Sequence, residues 1–166
     1  ILLMVFTILV NYLFGQLVGR CRARDNIKGA KWAVAGSAII SLALLIFFKY
    51  WDFLAGSLAS IGLNFMPLLR ITLPIGISFY TFQAMSYPVD VYRGDAHAQK
   101  NPLTFGTYVT LFPQLIAGPI VCYKDVESQL DRRDHSFDRF ASGIQRFAIG
   151  LSKKVLLANS IGKLWD

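Results

Sequence analysis

Gln83, Ser86, Asp90 and Arg93 follow one another at steps of three, four and three within "ITLPIGISFYTFQAMSYPVDVYRG", residues 71–94. On a helix that spacing puts all four on one face. An amide, a hydroxyl, a carboxylate and a guanidinium in a row can bind a ligand, or they can tie one helix to its neighbours. Asp90 and Arg93 are also spaced to pair with each other. A second stretch, "FPQLIAGPI" at 112–120, sets Pro113, Gln114 and Pro119 in an uncharged run. Proline removes a backbone donor and crowds the preceding turn, so a straight helix is not expected there. Gln114, just after the first break, is placed to bond freed carbonyls or a ligand. His97 and His135 sit in charged segments without an acid or thiol at an orienting spacing, and read as solvated side chains. No GxSxG, P-loop or HExxH pattern occurs, and Cys21 and Cys122 stand too far apart for a metal or redox pair. No catalytic constellation and no metal site is complete in these residues.

The elements that must position them are read from apolarity. The 166 residues are 54% hydrophobic and 16% charged, where a soluble domain carries about a quarter charged residues. Stretches free of Asp, Glu, Lys and Arg run over Ile1–Gly19, Trp32–Phe48, Phe53–Leu69, Ile71–Val89 and Asn101–Tyr123. Each approaches the roughly 17–25 residues that a spanning helix needs. Ile1–Gly19 and Trp32–Phe48 read as ordinary spans, with Trp32, Tyr50 and Trp51 at the interfaces. Phe53–Leu69 is diluted by Gly56, Ser57, Ser60, Gly62 and Asn64 and closed by Pro67, so it reads equally as an interfacial or re-entrant segment. In lipid, interrupted backbone survives only where protein or a wet cavity covers it, and the prolines of 71–123 therefore point to a cavity or to a kinked, packed helix. The chain opens on Ile1 inside an apolar run and ends at Asp166 without a stop signal of its own, which reads as a piece of a longer protein.

Charge sets the expected topology. "RCRARDNIKGAK" at 20–31 holds Arg20, Arg22, Arg24, Lys28 and Lys31 against Asp25, and a short basic loop stays cytoplasmic. Lys49–Arg70 then falls outside, and "DVYRGDAHAQKN" returns to the cytoplasm if 71–89 spans. The net charge of +7 lies largely beside apolar runs, so topology accounts for it and nucleic acid is not expected as a partner. Residues 122–139 form a charged surface segment, with a short helix expected over Asp125–Leu130. Ser136 is placed to cap a further helix, with Asp138 in its first turn. Phe137, Phe140, Ile144, Phe147, Leu151 and Val155 then recur at helical steps as an apolar stripe. That helix rests on the membrane surface or enters it late.

The paired stretches "LPIGISFYTFQAMSYPVDVYRGD" (73–95) and "FPQLIAGPIVCYKDVESQL" (112–130), followed by "FASGIQRFAIGLSKKVLLANSI", resemble the membrane-bound O-acyltransferase family. The bacterial branch that modifies alginate and teichoic acid is the most similar part of it. The likeness is strong over about residues 70–160 and loose before them. It implies an all-α integral membrane fold, a multi-pass helical bundle with kinked or re-entrant helices, of which 1–166 is part of one polytopic domain. It further implies a bacterial inner-membrane enzyme that moves an acyl group, acetyl first and D-alanyl second, from an activated donor or donor protein on the cytoplasmic side to hydroxyls of an extracytoplasmic polysaccharide. No bound cofactor is expected. The lipid bilayer and polysaccharide-modifying proteins are the expected partners. The family's essential histidine lies in a later segment beside Trp and Gly, so no catalytic role passes to His97 or His135. Some relatives carry histidine where this chain has Gln114. Gln83, Ser86, Asp90, Arg93, Pro113, Gln114 and Pro119 are expected to line or brace a tunnel. A transporter or channel, or a membrane scaffold, would share the kinked helices and the polar stripe.

Overall fold

The computed structural model describes residues 1–61, 67, 69, 74, 76–111, 121–131 and 136–165. Among these, all regular structure is helical. Two compact units are present, residues 1–131 and 132–166.

The first apolar window becomes α1, Leu2–Ala23, whose 22 residues extend about 33 Å and so match the roughly 30 Å hydrocarbon core of a bilayer. Arg20 and Arg22 stand in its last turn, where they complement the negative end of the helix dipole. Asp25, at φ 55°, turns the chain, and the Asn26 side chain accepts from the Gly29 amide at 2.9 Å to start α2. The second window does not stop at Phe48. α2 runs unbroken over Ile27–Ser60, 34 residues or about 51 Å, and absorbs the start of the window expected to begin separately at Phe53. The two windows, read separately in the sequence, thus share one helix as far as Ser60. Charged residues such as Lys49 and Asp52 do not unwind a helix when no proline or glycine stands among them. Instead the Lys49 ammonium bonds the Ser78 hydroxyl (3.3 Å), Asp52 accepts from the Leu69 amide (2.9 Å), and the Trp51 indole donates to the Pro67 carbonyl (3.1 Å). α1 and α2 are both long and apolar enough to cross a membrane. A helix of about 51 Å exceeds one hydrocarbon thickness, so part of α2 reaches beyond it or tilts.

α3, Ile77–Arg93, starts after Gly76 (φ 73°) and ends at Gly94 (φ 85°), both in the left-handed region that favours glycine. Pro88 lies inside this helix. The chain continues through α4, Pro102–Thr110, which the Asn101 side chain caps at the Leu103 amide (2.9 Å), and then α5, Tyr123–Asp131. The expectation of a short helix over 125–130 is met. In the second unit, Ser136 caps α6, Phe137–Ser152, through the Arg139 amide (3.2 Å), as the sequence predicts. One π-helical turn, Lys153–Ala158, leads into α7, Asn159–Trp165.

Two internal contacts help to hold the first unit. Asn11, Ser37 and Ser41 are buried between α1 and α2; the Asn11 amide donates to Ser41 Oγ (3.1 Å), and the Ser37 hydroxyl donates to Asn11 Oδ1 (2.8 Å). Such interhelical hydrogen bonds stand in for the hydrophobic drive that lipid-facing helices lack. α1 meets α3 where Gly15 lies under Tyr87. A Cβ added at Gly15 would fall 2.1 Å from the Tyr87 ring, so only glycine permits this approach. Tyr87 in turn packs tilted against Phe105 and edge-on against Tyr123, at centroid separations of 4.5 and 4.7 Å.

Candidate functional site

Among the described residues, the polar face of α3 meets α4 at Tyr108. Gln83, which is buried, donates its amide to the Tyr108 carbonyl (2.9 Å). Ser86 lies one turn on, with its hydroxyl 2.8 Å from the Gln83 carbonyl and 3.3 Å from the Tyr108 hydroxyl. Tyr108 is 1% exposed and donates its hydroxyl to the Val121 carbonyl at 2.6 Å. This bond joins the two flanks of the 112–120 stretch and holds both beside α3. Pro113, Gln114 and Pro119 themselves lie outside the described residues, as does His135.

Asp90 and Arg93 do not form the ion pair that their spacing suggests. Asp90 is buried and accepts from the Lys124 amide (3.3 Å), where its carboxylate faces the N-terminal turn of α5 and its positive dipole end. The reason is geometric: α5 packs on that side of α3 and offers an unpaired amide, whereas Arg93 is exposed. Asp90 stands one residue past the 71–89 window. Burial pushes its carboxyl above the ordinary value, against the opposing pull of the Lys124 amide and ammonium. Arg93 lines a separate cavity of about 370 Å³ with Arg22, Asp25 and Tyr92. Arg22 is committed within this cavity to the carbonyls of Val91 and Tyr92, at the C-terminus of α3.

The segment 94–101 is more ordered than a charged surface loop would be. Tyr87 accepts from the Gln99 amide (2.9 Å), Tyr12 donates to the Lys100 carbonyl (2.8 Å), and Gln16 donates to the Gln99 carbonyl. The reading of His97 as lacking an acid is also corrected. Glu127, thirty positions later, accepts from the His97 amide (2.8 Å) and lies 3.3 Å from its Nδ1. The His97 side chain is 98% exposed, and such a surface pair contributes little. Sequence reasoning missed Tyr108, Tyr87 and Gln99 because their partners lie far away along the chain. Asn11 carried a visible signal, one of two side-chain amides, with Gln16, in an apolar window.

Chemically, these groups hold and shape. The Ser86 hydroxyl has no histidine or carboxylate against it among the described residues, and the Tyr108 proton is committed to a carbonyl. Neither is activated as a nucleophile in the way that an adjacent base would achieve. What the arrangement provides is a rigid seam of α3, α4 and α5, with both flanks of the proline-rich stretch fixed to it.

The chain is 41% identical over 160 residues to the probable alginate O-acetylase AlgI of Pseudomonas aeruginosa, an alignment covering 94% of this chain and 30% of that protein. It is 39% identical over 160 residues to the probable alginate O-acetylase AlgI of Azotobacter vinelandii, covering 94% of this chain and 32% of that one. The chain is a homologue of bacterial O-acetylases. The peptidoglycan O-acetyltransferase of Helicobacter pylori is 29% identical over 191 residues, with 99% of this chain and 36% of that protein covered. The resemblance seen in the two motif stretches thus extends over nearly all of this homologue of the O-acetylases, including α1 and α2, where the motifs alone were loose. It spans about a third of the length of the curated relatives it matches. No protein-family model matches it, and no solved structure does. α1 and α2, both long and apolar enough to cross a membrane, fit a membrane protein.

Proposed function

We propose that this chain forms part of a multi-pass O-acyltransferase of the bacterial inner membrane. The enzyme transfers an acyl group, acetyl by preference, from an activated donor on the cytoplasmic side to hydroxyls of an extracytoplasmic polysaccharide. The observation that carries this reading is the similarity over 94% or more of the chain to proteins named for O-acetylation of two different polysaccharides. A shared membrane segment with different named acceptors fits a part of the enzyme concerned with the common acyl group and its path.

In this reading α3, α4 and α5 form a wall of the path. Tyr108 keeps both flanks of 112–120 against Gln83 and Ser86, and Pro113, Gln114 and Pro119 are proposed as lining or bracing of the path from their place in the sequence. A histidine in a later apolar segment acts as general base: it takes the proton of the acceptor hydroxyl as that oxygen attacks the acyl carbonyl, and the donor's leaving group departs with a proton. Restricting water in the path protects the activated acyl group from hydrolysis. The charged 122–139 segment faces the cytoplasm, where the donor or a donor protein arrives.

The test begins with the coding sequence past Asp166. A histidine in a later apolar segment, flanked by Trp or Gly, is expected, and its replacement by alanine in the complete protein abolishes O-acetylation of the polysaccharide without loss of the protein from the membrane. Unchanged O-acetylation after that replacement overturns the proposed mechanism. Incorporation of D-alanine in place of acetyl overturns the choice of acyl group.

A further inference from the structure

We propose that a groove along α1 binds an anionic phospholipid, with the headgroup phosphate held between Arg20 and Lys100. Tyr12, Leu13, Gln16 and Leu17 lie on one side of α1, and with Arg20 and Lys100 they line a cavity of about 540 Å³. Lys100 reaches this place because the segment before it runs back along the helix. Gly19 admits Ala98, whose Cβ would lie 2.6 Å from any Cβ added at Gly19. Further down, Gln16 and Tyr12 bond the carbonyls of Gln99 and Lys100. From Gly19 to Tyr12 the segment follows α1 for about 10 Å.

The groove has two chemical halves. Leu13 and Leu17, 59% and 44% exposed, give an apolar floor. Arg20 and Lys100 are both exposed, and neither forms an ion pair among the described residues. A small soluble anion would use the cations and leave the leucines unused. A packed apolar helix would bury two cations without counter-charge, at a large desolvation cost. An amphiphile with a negative head satisfies both halves: acyl chain on the leucines, phosphodiester on the cations. Basic pockets beside spanning helices at the cytoplasmic face take anionic headgroups for this reason. The inference rests on the membrane reading of α1 given above, but not on the acyl-transfer chemistry.

The test uses the complete protein in mild detergent, titrated with phosphatidylglycerol or phosphatidylcholine and followed by native mass spectrometry. Wild type is expected to bind phosphatidylglycerol more tightly, and the preference falls as salt rises. The Arg20→Gln/Lys100→Gln variant is expected to lose on the order of tenfold in phosphatidylglycerol affinity while phosphatidylcholine binding is unchanged. Equal binding of the two lipids by wild type overturns the site, whether or not the variant folds. A retained preference in the variant, or full displacement of the lipid by inorganic phosphate, overturns it as well. Release of the protein from membranes by alkaline carbonate without detergent overturns both the membrane reading and the site, whereas detergent dependence without lipid preference overturns the site alone.

Discussion

Replacing Tyr108 with phenylalanine removes one oxygen and leaves the ring in its cluster with Phe105 and Tyr123. The hydroxyl it removes is the donor to Val121 (2.6 Å) and sits 3.3 Å from Ser86 Oγ. Loss of a buried donor that orphans a carbonyl costs about 1–3 kcal/mol, and hydrogen bonds inside membrane proteins average nearer 0.6 kcal/mol. Tyr108 is almost fully buried and its bond is short, so about 1–2 kcal/mol is the working value for Tyr108→Phe. If the bond holds the far flank of 112–120 to α4, that loss appears locally. One to two kcal/mol multiplies the open population about 5–30-fold. Hydrogen exchange of the complete protein in nanodiscs reads this directly: amides of 121–126 exchange faster by that factor, while α1 and α2 keep their protection. In the proposed enzyme, acyl transfer falls with it, because the wall no longer keeps its shape. Unchanged exchange at 121–126 would refute the idea that Tyr108 ties the two flanks together. A uniform rise throughout the chain would show a general destabilisation instead, and would refute the local reasoning.

Other substitutions probe the remaining contacts. Gly15→Ala places a methyl group 2.1 Å from Tyr87 and forces α1 from α3, with a loss of about 1–3 kcal/mol in thermal stability, whereas Gly56→Ala, with open space around it, is neutral or stabilising. Asn11→Leu leaves Ser37 and Ser41 without their shared partner and lowers thermal stability by about 1 kcal/mol. At Asp90 burial outweighs the groups that favour its charge, so the folded state disfavours ionisation. Asp90→Asn, which keeps an acceptor for the Lys124 amide, is therefore expected to be neutral or stabilising at neutral pH. Asp90→Ala orphans that amide and costs about 1 kcal/mol, read as earlier exchange in the first turn of α5.

The apolar windows located α1 and the body of α2, because a bilayer's thickness imposes a length that composition reveals. They misplaced the end of α2, since absence of charge marks where lipid is tolerated, not where a helix stops. The stretch around Lys49 and Asp52 has neither proline nor glycine, and reading propensity there would have carried the helix through. Local chemistry was more legible: Ser136 caps α6, and α5 covers the expected 125–130. The face shared by Gln83, Ser86 and Asp90 was visible as a period, but its partners were not. Tyr108 and Lys124 reach it across 25 and 34 positions, a distance that no local pattern encodes. Spacing suggested Asp90 with Arg93, and tertiary packing gave Asp90 the start of α5 instead. His97 and Glu127 likewise meet only because α5 returns beside 94–101.

Acyl transfer across the membrane is read by supplying an isotopically labelled acetyl donor to one side of vesicles holding the complete protein, with an acceptor polysaccharide on the other. Label is expected on the polysaccharide as an alkali-labile ester, dependent on acceptor hydroxyls. Passage of solute across the vesicle wall with no ester formed would contradict acyl transfer and would favour a transporter.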